Sequence, residues 1–348
     1  MRIAVIGAGS IGTIVGALIA KNGGDIEFID SYVENVKVLN EKGATITGTI
    51  DLSVPVKAIT PEQMTGIYDL VILTTKQTVN NEVLTNLLPF INENSTVCTL
   101  QNGVPEDSVA NIVGAKRTVG GAVGFGATWL GPGVSKLTST KRVMDNFAFD
   151  IGEIDGSITP RIKMVQKVLS SVGCTTVLDN LMGVRWAKVL MNATFSGMSA
   201  ALGCTFGDVL NNEEGIVYIA HIADETIKVA RACGIQMAEM QGKDFTQLEL
   251  DSEGDIKNKL QFYHDVWDQH SLLKASMLQD LEKQRKSEID FINGYVSKKG
   301  REAGIKTPYN DMVIAIVKTE EASKNVNAGM SALAQFGVLR NVLTDNKN

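Results

Sequence analysis

RIAVIGAGSIGTIVGALIAKNGGDIEFID, residues 2–30, decides how the N-terminal half is read. RIAVIG is a short apolar run with the composition of a strand, and GAGSIG (residues 7–12) follows it directly. IGTIVGALIAKNG then has helical character, and DIEFID is a second strand. A glycine-rich turn between a strand and a helix is the dinucleotide-binding arrangement. Gly7 permits the tight turn, Gly9 lets a pyrophosphate approach the backbone, and Gly12 lets the helix pack closely on the strand. The N–H groups at the helix start, around Ser10 and Ile11, add a partial positive charge. Asp30 ends the second strand about 20 residues on, where a carboxylate accepts from adenosine ribose hydroxyls and repels a 2′-phosphate. Residues 31–36 contain no arginine, and Lys37 is the next cation. Two plainer readings stand beside these: a glycine turn without a ligand, and an aspartate that only caps a turn.

The βαβ rhythm continues through YDLVILTT and STVCTLQ, strands apolar enough to be buried on both faces of a parallel sheet. GGAVGFGATWLGPGVSKLTS predicts late strands and turns; a helix near 160–171 and a strand near CTTVLD follow. From about residue 180 the strand pattern stops and helical periodicity takes over. The expectation is an α/β fold: a Rossmann-type, doubly wound parallel sheet over residues 1–179, then an all-α domain over 180–343 that carries substrate and catalysis.

The bulk numbers suit this plan. The chain has 348 residues, 44% of them hydrophobic and 21% charged, enough for two domains. A net charge of -6 argues against nucleic acid or an anionic membrane as a partner. No apolar run reaches the roughly 20 residues of a membrane span. Cys98, Cys174, Cys204 and Cys233 are scattered without metal-ligand spacing, so no metal site and a reduced, cytoplasmic setting are expected. A homodimer is compatible with the chain, although no residue specifies one.

LMGVRWAKVLMNATFSGMSAALG reads as one long apolar helix over 181–202. Its polar residues Arg185, Lys188, Asn192, Ser196 and Ser199 recur every three or four positions and form a narrow stripe. A solvated stripe would look alike, but this one is short of charge and suits a polar cleft. Lys188 is the group able to protonate a carbonyl oxygen as hydride arrives, and burial makes an ammonium a better acid. Asn192 and Ser196 are placed to orient a substrate.

LEKQRKSEIDFINGYV, residues 281–296, reads as part of a helix spanning 276–300. At about 100° per residue, Glu288 falls about 20° from Leu281, inside the apolar arc. A buried carboxylate is costly unless paired or functional. Pairing with Arg285 one turn back and a place on a cleft are both open on this stretch alone.

Several separated motifs together resemble the ketopantoate reductase (2-dehydropantoate 2-reductase) family: IGAGSIG, TTKQ at 74–77, LQNG at 100–103, WAKVLMN at 186–192, SMLQDLEKQRKSEIDFING at 276–294 and GIKTPYN at 304–310. The resemblance implies a Rossmann domain and an all-α domain with the active site between them, NAD(P)H as cofactor and a 2-keto acid as substrate. It implies that Lys188 is the general acid and that Glu288 is an active-site carboxylate facing the cleft. It assigns Asn192 and Ser276 to the substrate, and Lys76 and Asn102 to loops that contact cofactor and substrate. SMLQ also forms an S-x-x-Q capping box, so Ser276 has a role as a helix cap as well.

The chain departs from the family in three places. Ser196 stands where a second asparagine is common. Asp30 occupies the region where a basic residue normally favours NADPH, which here favours NADH. The stretch 236–274 is longer than usual and carries Phe262, Tyr263 and Trp267, residues able to reshape the entrance to the site. An NAD-dependent D-2-hydroxyacid dehydrogenase on the same scaffold is the nearest alternative. A non-catalytic nucleotide-binding regulator is the alternative of another class, against which Lys188, Asn192 and Glu288 argue.

Overall fold

The computed structural model describes residues 1–240, 242–324 and 329–345. They form two compact units, one from Met1 to Leu181 and one from Met182 onward. The first contains β1 (Ile3–Ile6), β2 (Ile26–Ile29), β3 (Ala44–Gly48), β4 (Leu52–Val54), β5 (Lys57–Ile59), β6 (Leu70–Leu73), β7 (Thr96–Thr99), β8 (Thr118–Val123), β9 (Ala127–Gly131), β10 (Val134–Leu137), β11 (Phe149–Gly152) and β12 (Thr175–Leu178).

Eight strands make the main sheet in the order β5-β2-β1-β6-β7-β8-β11-β12. All its neighbours are parallel except β8 and β11. The first six places reproduce the doubly wound order, which reverses direction at β1. β1, β2, β6 and β7 are buried at every residue, as their unbroken apolar runs require.

The second sheet, β4-β3-β10-β9, is the part that the strand reading left out. The glycine-rich stretch does form strands, but β9 and β10 leave the main sheet to join β3 and β4. The helix Ser10–Lys21 packs against both sheets. Its residues from Gly12 to Ile19 are therefore all buried, and no solvent-facing side appears in that stretch. Gly16 makes this possible: an added Cβ would lie 2.3 Å from Cζ of Phe28 on β2. Gly16→Ala should lose about 1–3 kcal/mol to overpacking, read from urea midpoints. Phe28→Leu added to it should recover part of that loss, and additive losses would show that the ring is not the obstacle.

The second unit is helical, as expected; its one β-bridge among the described residues joins Met240 and Lys243. Two long helices expected from periodicity are interrupted. The one at 181–202 is an α-helix Leu181–Met191, a π-turn Asn192–Ser196 and an α-helix Gly197–Leu202. The one at 276–300 stops at Glu282 and resumes at Asn293, with a 3₁₀ turn Ile289–Phe291 between. Gln284, at φ 53°, ends the first piece, and the Arg285 N–H reaches back to the Asp280 carbonyl at 2.8 Å. This is a Schellman termination built on glutamine instead of the usual glycine, so no glycine announced it.

Of the three aromatics noted in 236–274, Phe262 is half-buried and the other two lie in the core. Tyr263 and Trp267, on the helix Ile256–Trp267, are buried. The Trp267 ring stacks on Phe195 of the π-turn at 4.2 Å. No helix among the described residues is long and apolar enough to cross a membrane.

Candidate functional site

In the first unit the glycine turn is held by side chains from three directions. Gly7 has φ 95°, a conformation suited to glycine. A Cβ on Gly12 would fall 2.0 Å from the Gly7 carbonyl oxygen, so the helix can start here only without a side chain. A Cβ on Gly9 would meet nothing within 4 Å, which leaves the face of the turn open. The first turn of the helix Ser10–Lys21 has no acidic residue, and no side chain caps it. A helix start of this kind suits an anion.

Asp30 stands just beyond β2 and takes the turn role that was one of its two readings. Its Oδ2 accepts from the Ala8 N–H at 2.8 Å and from Asn35 Nδ2 at 3.2 Å, and its Oδ1 accepts from the Tyr32 N–H at 2.8 Å. It is a turn aspartate, and it also braces the glycine loop. Two carboxylate oxygens offer about four acceptor positions, so roughly one remains on Oδ1 for a ligand hydroxyl. Asn35, buried, is the hub that the sequence reading missed. Its Nδ2 also reaches the Ala8 carbonyl at 3.0 Å, and its Oδ1 takes the Gly133 N–H at 2.7 Å. Lys37 is exposed.

The loops after β6 and β7 are tied to one another. Gln101 Nε2 donates to the Thr75 carbonyl at 2.8 Å, and Gln77 Nε2 donates to the Asn102 carbonyl at 2.6 Å. Thr74 Oγ1 donates to the Gly7 carbonyl at 2.8 Å, which joins both loops to the glycine turn. Lys76 and Asn102, each half-buried, thus share one edge of the sheet with Gly7, Gly9, Ser10, Ile11, Gly12 and Asp30. In TTKQ and LQNG the two glutamines fasten the loops.

In the second unit Lys188, Asn192 and Ser196 are half-buried, whereas Arg185, one turn before Lys188 on the same helix, and Ser199 are fully buried. The π-turn fits an extra residue into the turn after Met191, so the spacing that aligned Ser199 with Asn192 no longer does. Ser199 Oγ instead donates to the Cys204 carbonyl at 2.6 Å and accepts from the Ala275 N–H at 3.3 Å. That second bond brings the start of the helix Ser276–Glu282 to this segment. Ala275 holds the cap position and Ser276, exposed, is the first helical residue, so the expected capping box does not form.

Glu288 precedes the 3₁₀ turn and is 7% exposed. The helical-wheel argument for its burial lapses with the helix; the turn geometry places it instead. Arg285 is exposed and lines a surface pocket with Lys286 and Lys324, away from the one-turn pairing considered for it.

A buried polar chain lies behind the π-turn. Asn293 Nδ2 donates to the Ala193 carbonyl and to Asn310 Oδ1, both at 3.0 Å. Asn310 Nδ2 donates to Glu225 Oε2 at 2.7 Å. Glu225 also accepts the Tyr309 N–H at 2.8 Å and the Asn310 N–H at 3.0 Å, so it caps the helix Pro308–Ser323. Asn293 and Asn310 fall inside quoted motifs, SMLQDLEKQRKSEIDFING and GIKTPYN, but their partners are too distant in sequence to be read from it.

Burial pushes the Glu225 carboxyl up to about 8, against the pull of its three N–H donors, and nearby Asp311 adds to the rise. A folded value above the unfolded one favours the protonated fold. Stability from this group is thus complete below about pH 4.5 and is lost as the pH climbs through about 8. The loss can approach 1.4 kcal/mol per pH unit. Glu225→Gln should flatten the fall in urea midpoint between pH 5 and pH 8, and an unchanged slope would assign it to other groups.

Comparison with known proteins gives one consistent result. The family model for ketopantoate reductase PanE/ApbA matches residues 3–148, and the model of its C-terminal domain matches residues 180–321. A 2-dehydropantoate 2-reductase of Streptococcus pyogenes serotype M1 is 27% identical over 94% of this chain and 100% of its own. That of Pyrococcus horikoshii is 28% identical over 92% of this chain and 98% of its own. Among solved structures, a D-mandelate dehydrogenase with NADH and anilino(oxo)acetate superposes with a TM-score of 0.79. It is 25% identical, and the match covers 94% of this chain and 100% of that one.

Proposed function

We propose, from the premise that this chain belongs to the ketopantoate reductase family, that it reduces a 2-keto acid to the 2-hydroxy acid with a nicotinamide cofactor. That it is an oxidoreductase follows from the family. The substrate, the residue roles and the choice between NADH and NADPH are our reading.

The residues fit such a cofactor. The open face at Gly9, the uncapped first helical turn and the spare acceptor on Asp30 suit a pyrophosphate and an adenosine ribose in turn. Lys76 and Asn102 lie on the adjoining loops at the same edge of the sheet. When bound, the nicotinamide supplies the hydride.

The observation that carries the reading is the π-turn Asn192–Ser196 immediately after the α-helix bearing Lys188. Lys188 gives a proton to the ketone oxygen as the carbon accepts hydride, so the product is the neutral hydroxyl. Asn192 and Ser196 hold the keto acid through hydrogen bonds, with Ser276 contributing from the neighbouring helix start. The buried Glu288 carboxylate positions substrate and catalytic groups. Ketopantoate is the first candidate substrate. A D-2-hydroxyacid dehydrogenase acting on the same chemistry is the second, favoured by the likeness to D-mandelate dehydrogenase. A panel of 2-keto acids assayed separately with NADH and NADPH separates the two, and turnover of none of them would overturn the proposal.

Lys188→Ala should lower kcat by roughly 100-fold or more, the scale of general-acid catalysis, with cofactor affinity kept. Turnover near wild type would remove Lys188 from that role.

Asp30 should favour NADH. A carboxylate opposes a 2′-phosphate, and a difference of about 1.4 kcal/mol already gives a tenfold preference. Asp30→Ala also removes the brace on the Ala8 N–H, so use of both cofactors should fall, NADH more, and the ratio of their kcat/KM values should narrow. A wild-type preference for NADPH would contradict this electrostatic argument.

A further inference from the structure

We infer that Asn293 is a positioning residue for substrate: its side-chain amide, held by Asn310 and Glu225, fixes the π-turn that presents Asn192 and Ser196. This rests on the reading above, in which those two residues bind the keto acid.

Geometry and packing carry the inference. The Asn293 amide reaches into the turn itself, where Nδ2 takes the Ala193 carbonyl between the two substrate residues. A side chain inserted into the hydrogen-bond ladder is one of the few things that hold a helix in an irregular turn. The amide has no freedom to turn over, because both Nδ2 hydrogens are committed to acceptors, Ala193 O and Asn310 Oδ1. Its Oδ1 is buried, with no hydrogen-bond partner among the described residues.

The other face of the turn is equally constrained. Phe195 stacks on Trp267, and Thr194 Oγ1 bonds the Leu190 carbonyl at 2.7 Å. With Ala193, Thr194 and Phe195 all anchored in the interior, Asn192 and Ser196 are the residues of the turn left half-exposed. Gly197 completes the arrangement. An added Cβ there would lie 2.8 Å from Asn293 Oδ1 and 3.2 Å from its Nδ2, so the glycine makes room for the amide.

Gly197→Ala gives the sharpest test. It removes no polar group and replaces glycine in a helix by the best helix former, yet it pushes directly on Asn293. We expect kcat/KM for the 2-keto acid to fall about tenfold or more, the scale of a small misplacement of substrate. NADH affinity, measured by fluorescence, should hold, while the melting temperature falls by the few degrees that overpacking at a buried site costs. Hydrogen exchange of peptides covering 192–198 should quicken.

Asn293→Ala should act in the same direction. On a background lacking both substrate side chains, Asn192→Ala with Ser196→Ala, it should cost less than about twofold more, since residues acting through one contact are not additive. Multiplying losses on that background, or wild-type exchange and turnover in Gly197→Ala, would overturn the inference. Wild-type turnover in Asn192→Ala would instead overturn the substrate role of Asn192. Exchange at 192–198 would then still decide whether Asn293 fixes the turn.

Discussion

The first unit depends on how closely one helix can approach two sheets at once. Ser10–Lys21 packs on the main sheet and on the four-stranded sheet, and it has room for neither a Cβ at Gly12 nor one at Gly16. The close approach at Gly12 draws the helix start onto the Gly7 carbonyl. That contact directs the N–H groups of the first turn out over the edge of the sheet. The approach at Gly16 seats the helix on Phe28 and brings Asp30, two residues further on, within reach of the Ala8 N–H. Packing in the core and the shape of the glycine turn are therefore one constraint seen at two places.

The second unit solves a different problem, the display of polar groups from a helix that is otherwise interior. A regular helix would carry its polar stripe along one line. The π-turn breaks the line, sends Ser199 into a structural bond and keeps Asn192 and Ser196 at the surface. Such a turn is uncommon and needs support. Here it comes from an amide on one side and an aromatic stack on the other. The segment 236–274 supplies Trp267, whose ring stacks on Phe195 of the turn.

Strand runs, the glycine turn and the change from β to α rhythm were legible in the sequence because each depends on neighbouring residues. The motifs TTKQ and LQNG could be quoted, but the bonds from Gln77 and Gln101 across the two loops could not. They join residues more than twenty positions apart. The breaks in the two long helices were hidden for a local reason: Gln284 takes a left-handed conformation without being glycine, and a π-turn leaves an apolar pattern intact. Glu288 shows the effect most clearly. Its burial was expected from a helix that does not exist at that residue, and it is buried by a turn instead. The roles assigned to Lys188, Glu288 and the residues around them stand as proposals on this geometry.

The small sheet has a consequence for the newly made chain. β3 pairs in parallel with β10, and the register sets Val134 opposite Thr45, about 90 residues earlier. The helix Ser10–Lys21 leaves the ribosome long before the hairpin that completes the sheet over it. At typical synthesis rates the interval is roughly 5–20 s. Throughout it, a helix built to be buried has only part of its cover. The apolar character that makes Ser10–Lys21 a good spacer between two sheets makes it a site for chaperone capture or premature association during synthesis.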